Sequence, residues 1–171
     1  MRAAGKGAAL EVGQEVFGMR RPATVAGQPH GSYAEYMTAS RDTAALAVRP
    51  EGLDAASAAA LPMTGGTALA LTRWLELSEG ETFLVVGATG GVGPCVLQPA
   101  AAHGVHVIAA APGEDHDYAR TLGAAEAIDY RTGDAAQAVR AAHPEGVDGV
   151  LDLVDSRDVV TRTSAPLVRD G

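Results

Sequence analysis

Residues 81–104, ETFLVVGATGGVGPCVLQPAAAHG, decide the fold. Residues 82–86 are a short β-branched and apolar run without polar alternation, the pattern of a parallel strand covered on both faces. Gly87, Gly90, Gly91 and Gly93 then crowd the turn. A side chain there would keep a diphosphate from the backbone, and glycine tolerates positive φ at little cost. Pro94 suits the first turn of a following helix, whose unpaired N–H groups and positive dipole end face the turn. The stretch reads as strand, anion-binding turn and helix in immediate succession.

Working outward, the spacing predicts a second strand over residues 105–110, a helix over 115–122, a third strand over 127–130, a helix over 134–142 and a fourth strand over 147–154. Strands alternating with helices through short loops, joined by right-handed crossovers, give an α/β fold with a doubly wound parallel sheet. The glycine turn then lies at the carboxyl end of the first strand, where such sheets bind dinucleotides.

Five phrases in order carry a more specific resemblance: GQEVFGM (13–19), GSYAEYMTAS (31–40), LPMTGGTALA (61–70), ETFLVVGATGGVG (81–93) and RTLGAAEAIDY (120–130). Together they resemble the medium-chain dehydrogenase/reductase superfamily, and within it the zinc-free, quinone-oxidoreductase-like, NADP-dependent reductases. The resemblance implies a β-rich remnant of a GroES-like substrate domain over residues 1–53, connecting helices over 54–80, and a Rossmann-type dinucleotide-binding domain over 81–171. LVRDG (167–171) looks like the end of the fourth Rossmann helix. Members are about twice this long, so the resemblance implies a partial chain with four of the usual six sheet strands.

At 171 residues and 47% hydrophobic, the chain can bury a substantial core. A net charge of -8 disfavours nucleic acid and anionic membrane as partners, since both require basic patches. No apolar run is long enough for a membrane-spanning helix, and the N-terminal segment lacks the apolar stretch of a signal peptide, so a cytoplasmic location is expected. The single cysteine, Cys95, excludes an internal disulfide and a cysteine cluster for zinc. It stands near a helix N-terminus, which can activate a thiol, but is read as a small packing residue behind the turn.

Before the turn, residues 1–12 show no periodicity and are expected to be poorly ordered. Strands are expected over 15–18 and 32–38, the latter setting Tyr33, Glu35 and Met37 against Ala34, Tyr36 and Thr38. The intervening MRRPATVAGQPHG reads as loop, and its Arg20, Arg21 and His30 as exposed loop residues rather than substrate contacts. Asp54 is the expected N-cap of a helix over 55–60; Pro62 is expected to restart a helix continuing towards Leu77, with an apolar face of Leu71, Trp74, Leu75 and Leu77. Pro99, two turns into the helix after the glycines, predicts a kink or a late start there.

The resemblance assigns cofactor contacts to Ala88, Thr89, Gly90, Gly91, Val92 and Gly93 in the turn, to Thr67 near the nicotinamide, to Tyr130 beside the adenosine 2′-phosphate, and to Val154 and Asp155 after the fourth strand. Read from the residues alone, Thr67 is a back-bonded helical threonine and Asp155 a helix cap. The acid with which NAD enzymes bind the ribose hydroxyls is replaced by Ala111, which permits NADP in preference to NAD. The basic residues usual beside a 2′-phosphate are missing, and Glu114, Asp115 and Asp117 make the neighbourhood negative; His116 is read as a solvated loop residue. Met63 stands where the zinc alcohol dehydrogenases carry a cysteine ligand, and the five histidines show no paired metal spacing, so no zinc is expected.

The implied chemistry is hydride transfer from the nicotinamide to a quinone or an α,β-unsaturated carbonyl, for which no side-chain nucleophile is needed. No catalytic constellation stands out, and Tyr33 and Tyr36 are read as strand packing rather than proton donors. A different class of function, a truncated non-catalytic dinucleotide-binding module, fits the same residues. The fourth strand, apolar and at an edge of a 3-2-1-4 sheet, predicts a homodimer or other edge-mediated association.

Overall fold

In the computed structural model, which describes residues 1–20, 23–25, 28–40 and 42–169, the chain divides into two compact units, Met1–Met63 and Thr64–Gly171.

The first unit opens with turns over residues 1–15, tied by the Met1 amino group, which donates to the Gln14 carbonyl at 2.6 Å. Four short strands follow: β1 (Val16–Arg20), β2 (Ala23–Val25), β3 (Gln28–His30) and β4 (Ala44–Val48). β1 pairs antiparallel with β4, Val16 opposite Val48 and Arg20 opposite Ala44; β2 pairs antiparallel with β3. The Arg49 guanidinium braces the first pair, donating to the Glu15 carboxylate and the Leu53 carbonyl.

Two expectations for this unit are corrected. The segment expected to be loop carries β2 and β3. The strand expected over 32–38 does not form, and Tyr33 and Tyr36 are exposed rather than packed. Its alternation sets large side chains on both faces, so neither face is the one to bury, and β1 pairs with β4 instead. Arg21 lies outside the described residues; Arg20 donates to the Thr38 carbonyl at 3.4 Å.

A single helix, α1 (Ala55–Leu75), replaces the two expected, and the division between the units falls inside it. Asp54 caps it as expected, its Oδ1 accepting the Ala56 and Ser57 amides at 2.9 and 3.0 Å. Pro62 removes one hydrogen bond at a cost of ~3 kcal/mol, but breaking the helix would forfeit several, and alanine and leucine on either side strongly favour continuation. Ala68, Leu71 and Leu75 face the core, joined by Leu77 beyond the helix end. Trp74 does not: it is 81% exposed, about a quarter turn round the helix from that stripe.

The second unit continues with β5 (Thr82–Val86), α2 (Gly93–Ala102), β6 (His106–Ala111), a 3-10 turn at Gly113–Asp115, α3 (His116–Thr121), β7 (Glu126–Asp129), α4 (Ala135–Ala142), β8 (Gly149–Asp152), α5 (Arg157–Arg162) and a last 3-10 turn at Ala165–Leu167. The four strands are parallel in the order β7-β6-β5-β8, the expected 3-2-1-4 arrangement. Alternate residues serve opposite faces. Phe83, Val85, Val107 and Ala109 meet α1, α2 and α3 through Ala68, Leu97 and Ala119, whereas Leu84, Ile108 and Ala110 meet Val139 of α4 and Leu167. A sheet covered twice needs apolar residues at consecutive positions, which is why its strands lack polar alternation.

Pro99 lies inside α2, which starts at Gly93 without delay; the Gln98 side chain donates to the Pro94 carbonyl at 2.8 Å. Val168 is extended, not helical as expected, and residues 170–171 of that expectation lie outside the described residues. The Val147 amide donates to the Leu167 carbonyl and the Arg169 amide to the Val147 carbonyl, each at 2.9 Å, because the outer edge of the sheet offers unpaired groups that a helix end would leave open. Among the described residues, no helix is long and apolar enough to cross a membrane.

Candidate functional site

β5 hands over to α2 through the turn ATGGVG, and each glycine meets a different steric demand. Gly87 has φ +77°, and a Cβ there would lie 2.5 Å from Val154 Cγ2. A Cβ on Gly93 would lie 2.1 Å from the Ala88 carbonyl oxygen, so the start of α2 approaches the end of β5 more closely than any side chain permits. Gly91 is open: a Cβ there would meet nothing nearer than Thr64 Cγ2 at 3.9 Å, whereas a Cβ on Gly90 would crowd the Gly87 carbonyl oxygen at 3.2 Å. The Gly87 and Ala88 amides donate to the Ala110 carbonyl and that of Gly90 to Gly87, whereas the amides of Thr89, Gly91 and Val92 donate to no backbone carbonyl among the described residues. Free amides over an open glycine surface, backed by a helix N-terminus, suit an anion.

The turn forms one wall of a cleft of about 450 Å³. Pro112 and Asp115 after β6, Tyr130 after β7, and Leu153 and Val154 after β8 supply the rest, so the cleft lies outside the carboxyl ends of all four strands. Since β5 connects onward to β6 on one side while β8 lies on its other side, this is the point where the winding of the sheet reverses, the general place for ligands in open α/β sheets. Asp152 shapes the β8 side: its Oδ1 accepts the Val154 and Asp155 amides at 3.1 and 2.9 Å, and its Oδ2 accepts the Ser164 hydroxyl at 2.8 Å.

Of the residues expected to hold the cofactor, Thr89, Gly90, Gly91, Val92, Tyr130 and Val154 line this cleft. Ala88 and Gly93 are buried beneath the turn and position it. Thr67, exposed on α1, and Asp155, exposed past β8, are not among the lining residues. The fold adds Asp115, whose carboxylate accepts the Thr89 hydroxyl at 2.8 Å across 26 positions of sequence. No spacing rule could have joined those two.

The acidic neighbourhood after β6 is largely neutralised. Glu114 pairs with Arg131, and its own backbone amide together with that guanidinium holds its carboxyl below the usual carboxylate range. The Glu114 carboxylate in turn raises the Arg131 guanidinium above its ordinary value. Asp117 pairs with Arg120 at 3.0 Å, and His116 is within 3.3 Å of the Ala111 carbonyl rather than free in solvent. A basic side chain therefore does stand beside Tyr130, supplied by the next residue.

The zinc-binding dehydrogenase family matches residues 91–171. An NADPH-dependent alkenal/one oxidoreductase of Arabidopsis thaliana is 37% identical over 154 residues, which are 88% of this chain and 36% of that protein. Among solved structures, the quinone oxidoreductase of Coxiella burnetii superposes with a TM-score of 0.81 at 32% identity, over 96% of this chain and 48% of its own. The Escherichia coli quinone oxidoreductase, solved as a complex with NADPH, gives a TM-score of 0.66 at 30% identity over 75% and 39%. The chain belongs to the medium-chain dehydrogenase/reductase superfamily. Its side of that superfamily is the quinone-oxidoreductase-like one. The chain spans about a third of the length of the curated relatives it matches and about half that of the Coxiella structure.

Proposed function

We propose that this chain binds NADPH in the cleft at the carboxyl ends of β5–β8 and, as part of an oxidoreductase, directs hydride from the nicotinamide to a quinone or an α,β-unsaturated carbonyl. The single observation that carries the reading is the turn itself: three amides without a backbone acceptor among the described residues, around the unobstructed Gly91, at the reversal point of a parallel sheet. The relatives named for quinone and alkenal reduction support the substrate class.

The dinucleotide, when bound, supplies the hydride chemistry. The chain's residues hold and orient it. Thr89, Gly91 and Val92 would donate amides to the diphosphate; Tyr130 would hold the adenosine end, and the adjoining Arg131, paired with Glu114, would supply positive charge towards a 2′-phosphate. Val154, seated over Gly87, supplies an apolar wall. Met63 in place of a cysteine ligand goes with hydride transfer that uses no zinc at the substrate.

The test pairs a fluorescence titration of NADPH and NADH with an assay of NADPH consumption in the presence of 1,4-benzoquinone or but-3-en-2-one. Micromolar NADPH binding, weaker NADH binding and turnover of one acceptor class are expected. Absence of saturable binding by either nucleotide would overturn the reading, and binding without turnover would leave a dinucleotide-binding module.

A further inference from the structure

At the opposite end of the sheet, three side chains from distant parts of the chain converge. His106 opens β6, Glu126 opens β7, and His143 follows the last turn of α4, its amide donating to the Val139 carbonyl at 2.7 Å. The parallel register, with Ile108 opposite Glu126, brings the starts of β6 and β7 together. His106 Nε2 lies 2.6 Å from Glu126 Oε1, and His143 Nε2 lies 3.1 and 3.3 Å from Glu126 Oε1 and Oε2. The imidazole rings are 6.0 Å apart and inclined at 59°, aiming their nitrogens at one carboxylate from two directions.

We propose that His106, Glu126 and His143 form a binding site for a single divalent transition-metal cation of the zinc class. Two imidazoles and a carboxylate are a donor set that zinc accepts, with bonds of about 2.0–2.2 Å. A tetrahedral ion with such bonds separates its donors by about 3.3 Å. One ligand atom from each of the three residues already lies within 4.8 Å of the other two, so capture requires shifts of an ångström or so, within the reach of side-chain torsions. The side chains are 42%, 35% and 20% exposed, which gives an ion a way in and leaves a coordination position for water. All three ligands sit on regular elements or directly at their ends, the arrangement that keeps a metal site in shape.

The expectation of no zinc rested on spacing along the chain, which does not bear on a cluster of this kind. Histidine spacing along the chain shows no metal pattern because the ligands are 20 and 17 residues apart and meet only through strand register and the return of α4. A bound ion would tie the edge strand β7 to β6 and α4. It lies at the end of the sheet away from the cleft, so it takes no part in the proposed hydride transfer.

The test uses the whole chain freed of metal by chelation and titrated with zinc by calorimetry. One ion per chain, with micromolar or tighter affinity and a raised thermal midpoint, is expected; His143→Asn and Glu126→Gln should each weaken binding at least tenfold, while His116→Asn leaves it unchanged. Because a ligand variant can fail by misfolding, imidazole nitrogen spectra of the unaltered protein provide a second reading. The His106 and His143 signals must shift together at one equivalent of zinc while those of His103 and His116 stay in place. Absence of binding, or binding that leaves the His106 and His143 signals unmoved, overturns the proposal. NADPH titration of the chelated protein keeps this outcome separate from the proposed function, since it should be unaffected.

Discussion

Gly91 and Gly93 stand two residues apart and have different tasks. A Cβ at Gly91 meets only Thr64 Cγ2, so the Gly91→Val chain should fold yet lose NADPH binding as its side chain fills the proposed place of the diphosphate. Unchanged affinity in a fluorescence titration would remove the turn as the site. Alanine at Gly93 would drive its Cβ into the Ala88 carbonyl, and overpacking of this kind typically costs about 1–3 kcal/mol; urea unfolding measures it. At Glu126, hydrogen bonding from His106 is the chief cause, with His143 assisting, that holds the carboxyl below its ordinary range despite partial burial. A carboxyl depressed in the folded state stabilises above its unfolded pKa, and the contribution fades as pH falls through the folded value. In chelated protein, a carboxyl NMR titration should therefore find Glu126 below the ordinary glutamate range, and His106→Asn should bring it back up. A Glu126 midpoint at the ordinary value would show that the contacts are not populated in solution.

Helices here are settled by their ends more than by their prolines. Pro62 and Pro99 both sit inside helices that persist around them. α4 has only eight residues, too few to be stable alone, and relies on Val139 packing under the sheet and on the Asp134 cap. Asp134 Oδ1 accepts the Ala136 and Gln137 amides at 2.9 and 3.2 Å. Asp134→Ala should cost about 1 kcal/mol, seen as a lower urea midpoint with an unchanged slope; a changed slope would mean that α4 detaches instead. Since α4 also carries His143, the same variant should weaken zinc binding, whereas removal of the Asp54 cap of α1 should not.

For the whole molecule, the decisive feature is the free side of β8. That strand pairs only with β5 among the described strands. Its lower end is closed by the Val147–Val168 bridge and by the Arg169–Asp148 ion pair at 2.5 Å, while Gly149–Asp152 keeps an open edge. Backbone groups without partners on an apolar strand recruit another chain. Sedimentation at micromolar concentrations should show concentration-dependent association. A strictly monomeric species would mean that the Leu167–Arg169 segment protects the edge sufficiently.

The sequence by itself determined the sheet of the second unit and the glycine turn of its cleft, because both depend on local chemistry. Consecutive apolar residues specify doubly covered strands, glycines mark where backbone must approach backbone or ligand, and Asp54 and Asp134 cap whatever helix follows them. Tertiary structure alone decided what depends on partners. Strand formation at 44–48 rather than 32–38 was set by pairing with β1, which no alternation encodes. Trp74 lost its expected place in the core to the angular position of neighbouring leucines. Thr89 met Asp115, Tyr130 gained a paired Arg131, and two histidines converged on Glu126 because parallel register brings residues 17 to 26 apart into contact. Linear spacing carries no record of that register, which follows from how the strands pair in three dimensions.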